Sequence, residues 1–566
     1  MGAMAMAMAM AMPMVAKSRP VQQQHLKIVS GRRLHDAARA VGLPSFALVF
    51  LLHSPVSAQS ATPFSTSPSP LSAPGAAATG QSGLQIRPSI SVSETYSDNV
   101  SLAPAGSERS EWTTRIAPSV SVIGNGARLR FNATYTPELL SRARQGTNDI
   151  SHFLNASGNS ELLQQLLYVD VRANVSQQNV SLLGAQAQDN LNTTGNRTSV
   201  KTYSVSPYLR HDFGFDAVGE LRLTHDAVSY SGNTSALSGS TSNGISARLL
   251  SGPTFKLLTW NLAYDKSRVE YSDSARNVDS ERISAGATRL ITPNFRLGVN
   301  VGYEEYTYVT IGGAPPKGAF WSVGPEWTPT DRTRLAASIG HRYYGPSKSL
   351  DFSHRSRLTV WQLNYSENVS SSRGNALIPV STDTAGLLNA LFLSQIPDPI
   401  ARQTAVQNFI TLTGLPPSLT QPVNFVTESV FLEKKLQATF GIQGIRNTVM
   451  ANVFSQNREA LSSGASIGAG DFSTSSSTKQ TGANLLWSSR LTANLASNLS
   501  VGISRSQFST LASGADRLSY VRLGFTQQFH PKVSGLLSVN SVKNDSDRVG
   551  AGYTENSVAA SLNVRF

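Results

Sequence analysis

The chain has no cysteine in 566 residues. No disulfide staples it, and no thiolate is present to hold a metal. It also lacks an apolar run of about 18 residues, the least a membrane-spanning helix needs. Charge is scarce, with Asp, Glu, Lys and Arg making up 15% of the residues. No block of Lys and Arg interrupts the sequence, so the formal +13 is not the footprint of a nucleic-acid binder. Residues 1–58 alone hold six Lys/Arg and one Asp, which account for +5 of that charge. Catalytic motifs are missing too: there is no His-Glu-x-x-His, no Gly-x-Ser-x-Gly and no phosphate loop. His152, His211, His225, His341, His354 and His530 are scattered. His211–Asp212 and His225–Asp226 are sequence neighbours, so on strands they face opposite sides and form no dyad. The sequence offers no catalytic, cofactor-binding or metal-binding set, and a non-enzymatic protein is expected.

What is abundant is Ser, Thr, Asn and Gly, arranged in alternation with apolar residues. The last fourteen residues, Tyr553 to Phe566, show it best. Asn556, Val558, Ala560, Leu562, Val564 and Phe566 share one side of a period of two; Glu555, Ser557, Ala559, Ser561, Asn563 and Arg565 share the other. A full amphipathic strand ending the sequence on Phe resembles the bacterial outer-membrane barrel class, whose assembly machinery reads such a C-terminal strand. The resemblance implies that Phe566 is an assembly signal and that outer-membrane lipid and the barrel-assembly machinery are partners. A strand in that position must pair with the first one, because lipid tolerates no open edge.

The amino end reads as an extended export signal over residues 1–58. Lys27, Arg32, Arg33 and Arg39 form a basic region, Leu43 to Leu52 an apolar core of about ten residues, and Val56-Ser57-Ala58 a small-x-small cleavage site. Residues 59–83 are rich in Ser, Pro, Ala and Gly and read as a disordered periplasmic linker.

From Leu84 to Phe566 one rhythm repeats: an alternating segment, a short turn, another segment, a longer polar loop. This is the pattern of a transmembrane antiparallel β-barrel, here of about 22 strands within bounds of about 18 and about 26. Gly124-Asn125-Gly126 marks a tight turn, as do Thr292-Pro293-Asn294 and His530-Pro531-Lys532. The stretch from Ser349 to Asn368 keeps the alternation of directions only if it is two strands with a turn near Arg355 to Arg357. Residues 369–427 form the one long insertion, partly helical, with helical spacing from Ala401 to Phe409 after Pro397 and Pro399. On the direction count it starts outside, and it is expected to fold inward as a plug, sit above as a cap, or lie exposed. All six tryptophans (Trp112, Trp260, Trp321, Trp327, Trp361, Trp487) have lipid parity. Tyr96, Tyr135, Tyr264, Tyr303, Tyr343 and Tyr365 fall near outer strand ends, where an aromatic girdle lies.

The opposite parity carries Arg115, Arg130, Arg172, Arg210, Arg222, Arg248, Arg282, Arg296, Arg334, Arg490 and Arg522, against Glu220, Asp226, Asp265, Glu304, Glu326 and Asp351. Two readings follow: a weakly anion-selective lumen, since guanidinium rings lower the barrier for anions, or cross-strand pairing that sets no selectivity.

Several stretches are similar to one family, the large outer-membrane barrels of exopolysaccharide loci and the PEP-CTERM sorting system. They are Ser89 to Val100, Gly340-His341-Arg342-Tyr343-Tyr344-Gly345, Ser353 to Arg357, Val430-Phe431-Leu432, Arg446 to Val449, and the terminal Val564-Arg565-Phe566. The resemblance implies an outer-membrane location and a channel or scaffold for an exported polymer, with polysaccharide-export components as partners. It carries over no functional residue. The alternatives are a general diffusion porin for small anionic solutes and an outer-leaflet lipid- or glycan-modifying enzyme.

Overall fold

The structure is a computed structural model. It describes residues 83–566 except 147, 232–237, 273–276, 309, 312, 314, 378–382, 394, 395, 397–401, 403, 404, 407, 408, 410–428, 463–475 and 510–513. The expected export signal and linker lie outside the described residues, apart from Gly83, which opens the first strand.

Period-two alternation produces 22 strands. They are β1 (Gly83–Ser97), β2 (Glu111–Asn125), β3 (Leu129–Arg142), β4 (Asn148–Leu163), β5 (Leu167–Asn179), β6 (Arg197–Asp212), β7 (Ala217–Ser231) and β8 (Ser240–Ser251). Next come β9 (Leu258–Tyr271), β10 (Asn277–Thr292), β11 (Phe295–Tyr306), β12 (Lys317–Thr330), β13 (Thr333–Arg342), β14 (Gly345–Arg355) and β15 (Thr359–Ser371). After two helices, α1 (Ser372–Leu377) and α2 (Asp383–Phe392), the sheet resumes with β16 (Val430–Gln443), β17 (Asn447–Ala460), β18 (Ser477–Arg490) and β19 (Leu495–Phe508). It ends with β20 (Ala515–His530), β21 (Val533–Ser546) and β22 (Tyr553–Arg565).

Every strand pairs antiparallel with its sequence neighbours, and β22 closes on β1 from Ser89↔Arg565 to Ser97↔Ser557. The Phe566 amide adds a bond of 3.1 Å to the Pro88 carbonyl. No strand edge is left open, the condition for backbone in hydrocarbon. One end carries only short turns, such as residues 293–294, 331–332 and 531–532, together with both ends of the sheet. The other end carries the long loops. In this barrel class those are the periplasmic and extracellular ends respectively.

The outward face is a belt of exposed apolar side chains, among them Leu262, Val301, Leu485, Leu537 and Leu562. Trp112, Trp321, Trp327, Trp361 and Trp487 are 42–50% exposed, which in a soluble protein is costly and in a bilayer is burial. Trp260 is half-buried, with Phe255 edge-on at 5.8 Å. Tyr343 is not in the girdle; it sits in the β13–β14 turn and packs in a cluster at the mouth. The tight turn after β2 is also one step later than its Gly-Asn-Gly suggests. Gly124 stays paired with Phe131, and Gly126 donates to Leu129 at 2.8 Å across residues 126–128. The Ser349–Asn368 stretch is two strands, β14 and β15, as the alternation requires.

Candidate functional site

The lumen wall is built by parity. All eleven arginines of the inward set lie on inward positions of the register, so one alternation places them. Five make ion pairs. Arg115 meets Glu138 at 3.3 Å, and Arg248 approaches Asp265 at 4.0 Å. Arg222 bridges Asp170 at 2.7 Å and Glu220 at 2.9 Å, with its guanidinium 3.9 Å above the Tyr208 ring. Glu326 accepts from Arg334 at 2.9 Å and lies 3.9 Å from Arg296, while Arg334 also reaches Asp351 at 2.6 Å. Arg282 is buried, its guanidinium 4.2 Å above the Phe320 ring. Arg490 donates to the Ile445 carbonyl at the periplasmic rim. Arg130, Arg172, Arg210, Arg490 and Arg522 make no ion pair among the described residues. Five of the eleven are thus ion-paired, and the other six, Arg282 among them, form no ion pair among the described residues.

Height sorts the arginines further. Arg130, Arg210, Arg296, Arg334 and Arg490 all lie within two residues of the periplasmic end of their strands. The wall from β17 to β22 is different. At mid-height it presents Asn452, Gln456, Gln480, Asn484, Asn498 and Asn540 with serines between them, and Arg522 as its one charge among the described residues.

The insertion answers the question its sequence left open: it goes inward. Near the periplasmic end of β15, β17 and β18 the inward positions include the apolar Val360, Met450 and Leu486, each within four residues of the end of its strand. Leu387, Leu388 and Leu391 of α2 pack on these three together with Phe392 and Val406. A side chain at Gly441 would stand 3.1 Å from Leu391, so this glycine admits the helix to the wall. α2 is thus seated deep in the lumen. Sequence reading put helix only at Ala401 to Phe409; Arg402, Ala405, Val406 and Phe409 are helical, and α1 and α2 precede them.

The top of the β15–β16 hairpin also leans over the lumen. Val369 and Val430 have outward parity, yet they are buried against Tyr306, Tyr308, Tyr343 and Tyr344. Tyr306 shares the inward parity of Glu304, so the outward face of the hairpin meets the inward face of β11. Beneath this contact Arg342 grips the fully buried Glu304 through two hydrogen bonds. Tyr308 and Tyr343 share a hydroxyl–hydroxyl bond of 2.7 Å, and burial pushes the Tyr308 phenol up to about 12. At the tip, Arg373 of α1 donates to Ser240 Oγ at 3.0 Å and to the Asp226 carbonyl at 3.3 Å.

A third element roofs the remaining mouth. The loop after β5 packs Leu182 on Phe431 and Phe508, and Ala185 and Ala187 on the Leu102, Leu518, Val542 and Tyr553 cluster. Gln186 exchanges hydrogen bonds with the Tyr553 hydroxyl at 3.2 and 3.3 Å, and Asn192 donates to Glu555 at 2.9 Å. No group of three or more His, Asp or Glu able to hold a metal ion is found among the described residues.

A closed antiparallel barrel with an apolar belt, short turns at one end and long loops at the other is an outer-membrane β-barrel. This one has its lumen filled from the extracellular side. Beyond that class the comparisons add no family: no protein-family profile matches the chain, and no curated protein matches it in sequence. Among solved structures it is similar to a ferric enterobactin receptor (PfeA) from Pseudomonas aeruginosa, at 12% identity and a TM-score of 0.43, covering 86% of this chain and 81% of that one. It is similar also to the siderophore receptor PirA from Acinetobacter baumannii, at 10% identity, TM-score 0.43 and the same coverage. The FrpB iron transporter from Neisseria meningitidis aligns at 10% identity and a TM-score of 0.35, covering 86% and 83%.

Proposed function

We propose that this barrel is a gated, non-enzymatic conduit through which a hydroxyl-rich polymer of the polysaccharide class leaves the periplasm. The observation that carries the reading is the inward insertion, with α2 seated on Val360, Met450 and Leu486 near the periplasmic end. A diffusion porin has no use for an obstruction anchored there, whereas an export channel must stay shut between passages. Two features of the wall support the choice of cargo. The amide and hydroxyl groups of β17–β22 suit a chain of hydroxyl groups, and the arginines at the periplasmic rim suit a chain carrying carboxylate or phosphate at its entry. The likeness to exopolysaccharide-locus barrels points the same way and names polysaccharide-export components as partners, with the barrel-assembly machinery acting on the strand that ends at Phe566.

Planar-bilayer conductance tests the reading. The full chain is expected to conduct little. Replacing residues 372–429 with a short turn is expected to raise conductance at least tenfold, as is Leu387→Asp with Leu388→Asp, which keeps the chain length. A wide-open full chain whose conductance neither change alters returns the protein to the porin class. Loss of lipid or glycan turnover on His→Ala substitution is the result that an enzyme at the outer leaflet requires.

A further inference from the structure

Above the apolar belt, the outward face at the extracellular end meets the headgroups of the outer leaflet. Several basic side chains there are neutralised in place, while Lys201 and Lys348 stand singly with no ion pair among the described residues. Lys266 pairs with Glu281 at 3.0 Å, Arg268 with Asp279 at 2.7 Å, Lys317 with Glu305 at 3.3 Å and Lys434 with Glu459 at 3.0 Å. Around β18 to β20 the pattern breaks. Lys479, Arg505 and Arg517 all have outward parity, are exposed, and make no ion pair or hydrogen bond among the described residues. Arg505 and Arg517 are direct cross-strand partners in the register. Like charges placed opposite each other lie about 5 Å apart at Cβ and destabilise a sheet. The nearest described acid across β20–β21, Asp545, is already paired with Lys543 at 2.8 Å.

The height of this cluster is fixed by its neighbours. Ile503 is one outward step below Arg505 and 48% exposed, and Val521 is two outward steps below Arg517 and 47% exposed. Ser519 pairs with Ile503 at the top of the belt, and Thr481 pairs with Arg505 beside the cluster. The three cations therefore stand at headgroup depth, on the side that faces lipid.

We propose that Lys479, Arg505 and Arg517 form a binding site for the phosphate of a phosphorylated glycolipid of the outer leaflet. A phosphate set between two facing guanidiniums accepts a forked pair of hydrogen bonds from each, which turns a repulsive cross-strand pair into an attractive one. Lys479 on the adjacent strand supplies a third donor. The lipid chains of the same molecule lie along Ile503, Val521 and Leu485, so recognition of the headgroup and burial of the tails occur together. The site is separate from the lumen and holds whether or not the barrel exports a polymer.

The test is native mass spectrometry of the full chain in detergent, titrated with bisphosphorylated lipid A. The full chain is expected to retain one tightly held lipid. Arg505→Gln with Arg517→Gln is expected to weaken retention at least tenfold, while Arg505→Lys with Arg517→Lys retains most of it. Lys266→Gln with Arg268→Gln, on the neutralised face, is expected to change nothing. Heat-modified migration on gels checks that each variant is folded. Equal retention by the Gln pair and the full chain overturns the proposal. So does equal binding of a phosphate-free glycolipid, or displacement of the lipid by millimolar inorganic phosphate, which marks a free-anion site.

Discussion

From β5 to β14 the lumen wall carries a ladder of guanidinium and carboxylate groups, whereas from β17 to β22 it carries amides and hydroxyls with Arg522 alone among them at mid-height. Both walls come from the same alternation, so fold does not distinguish them. Their partners do. On the charged wall Arg222, Arg248, Arg296 and Arg334 are paired with acids of the wall itself, and among the described residues Arg373 of α1 reaches it at Ser240 and the Asp226 carbonyl. On the β15–β18 side the wall is left incomplete near its periplasmic end, and α2 completes it. The charged wall is braced largely by its own strands, whereas the β15–β18 wall presents an apolar patch on which α2 docks.

The largest effect follows from breaking the charged side at its most buried rung. Arg342 and Glu304 are 7% and 0% exposed in their side chains. Arg342→Ala takes from the buried Glu304 carboxylate its two guanidinium hydrogen bonds and leaves only the cross-strand Arg282 near it, which costs about 3–5 kcal/mol. The midpoint of heat modification on gels, or of unfolding by urea in detergent, is expected to fall accordingly. Replacing both residues together, Arg342→Met with Glu304→Gln, is expected to recover much of the loss, because the pair is removed as a unit while Arg282 still faces Asp265. If the single and double changes cost the same, the pair is not what holds this rim.

The neutral wall is expected to respond to volume instead. Gly502 lies under Tyr520, and Gly482 under Phe454. A side chain at Gly502 would stand 2.2 Å from the Tyr520 ring, and one at Gly482 would stand 2.6 Å from the Phe454 ring and 2.8 Å from the Ile503 carbonyl. Gly482→Ala is expected to destabilise by about 1–3 kcal/mol through overpacking, where Gly→Ala in an open strand is stabilising. Gly83→Ala meets nothing within 4 Å and serves as the control. Equal unfolding midpoints for the two variants break the comparison.

These contrasts explain what was legible in the sequence. Parity survives over any distance, so strand number, the closure of β22 on β1 and the inward set from Arg115 to Arg522 are all readable from a period of two. Which arginines are neutralised is partly readable, since Glu326 and Asp351 share that parity; the length of reach between strands decides the rest. The plug is not readable by this means. Its direction depends on Leu387, Leu388 and Leu391 finding Val360, Met450 and Leu486, and no local pattern encodes that meeting. The signal was present as a violation: those three apolar residues have the parity of the wet face. Tyr343 misleads for a related reason. It lies at the end of a strand that is shorter than its neighbours, so a girdle position on a taller strand becomes a packing position under the leaning β15–β16 hairpin.

The smallest effect sharpens the comparison most, because it separates charge from shape. With residues 372–429 replaced by a short turn to open the pore, Glu326→Gln removes the acid that Arg334 meets at 2.9 Å and Arg296 approaches at 3.9 Å. Both guanidiniums then act on the lumen near its periplasmic end, and Asp351 offsets only one of them. Reversal potential in a salt gradient is expected to shift by a few millivolts toward anions, with conductance nearly unchanged, since Glu and Gln are close in volume. Asn540→Ser on the opposite wall changes no charge and is expected to leave the reversal potential where it was. A shift toward cations with Glu326→Gln, or an equal shift with Asn540→Ser, means that the paired ladder sets no field in the lumen, and that the unpaired Arg130, Arg210 and Arg522 carry the selectivity alone.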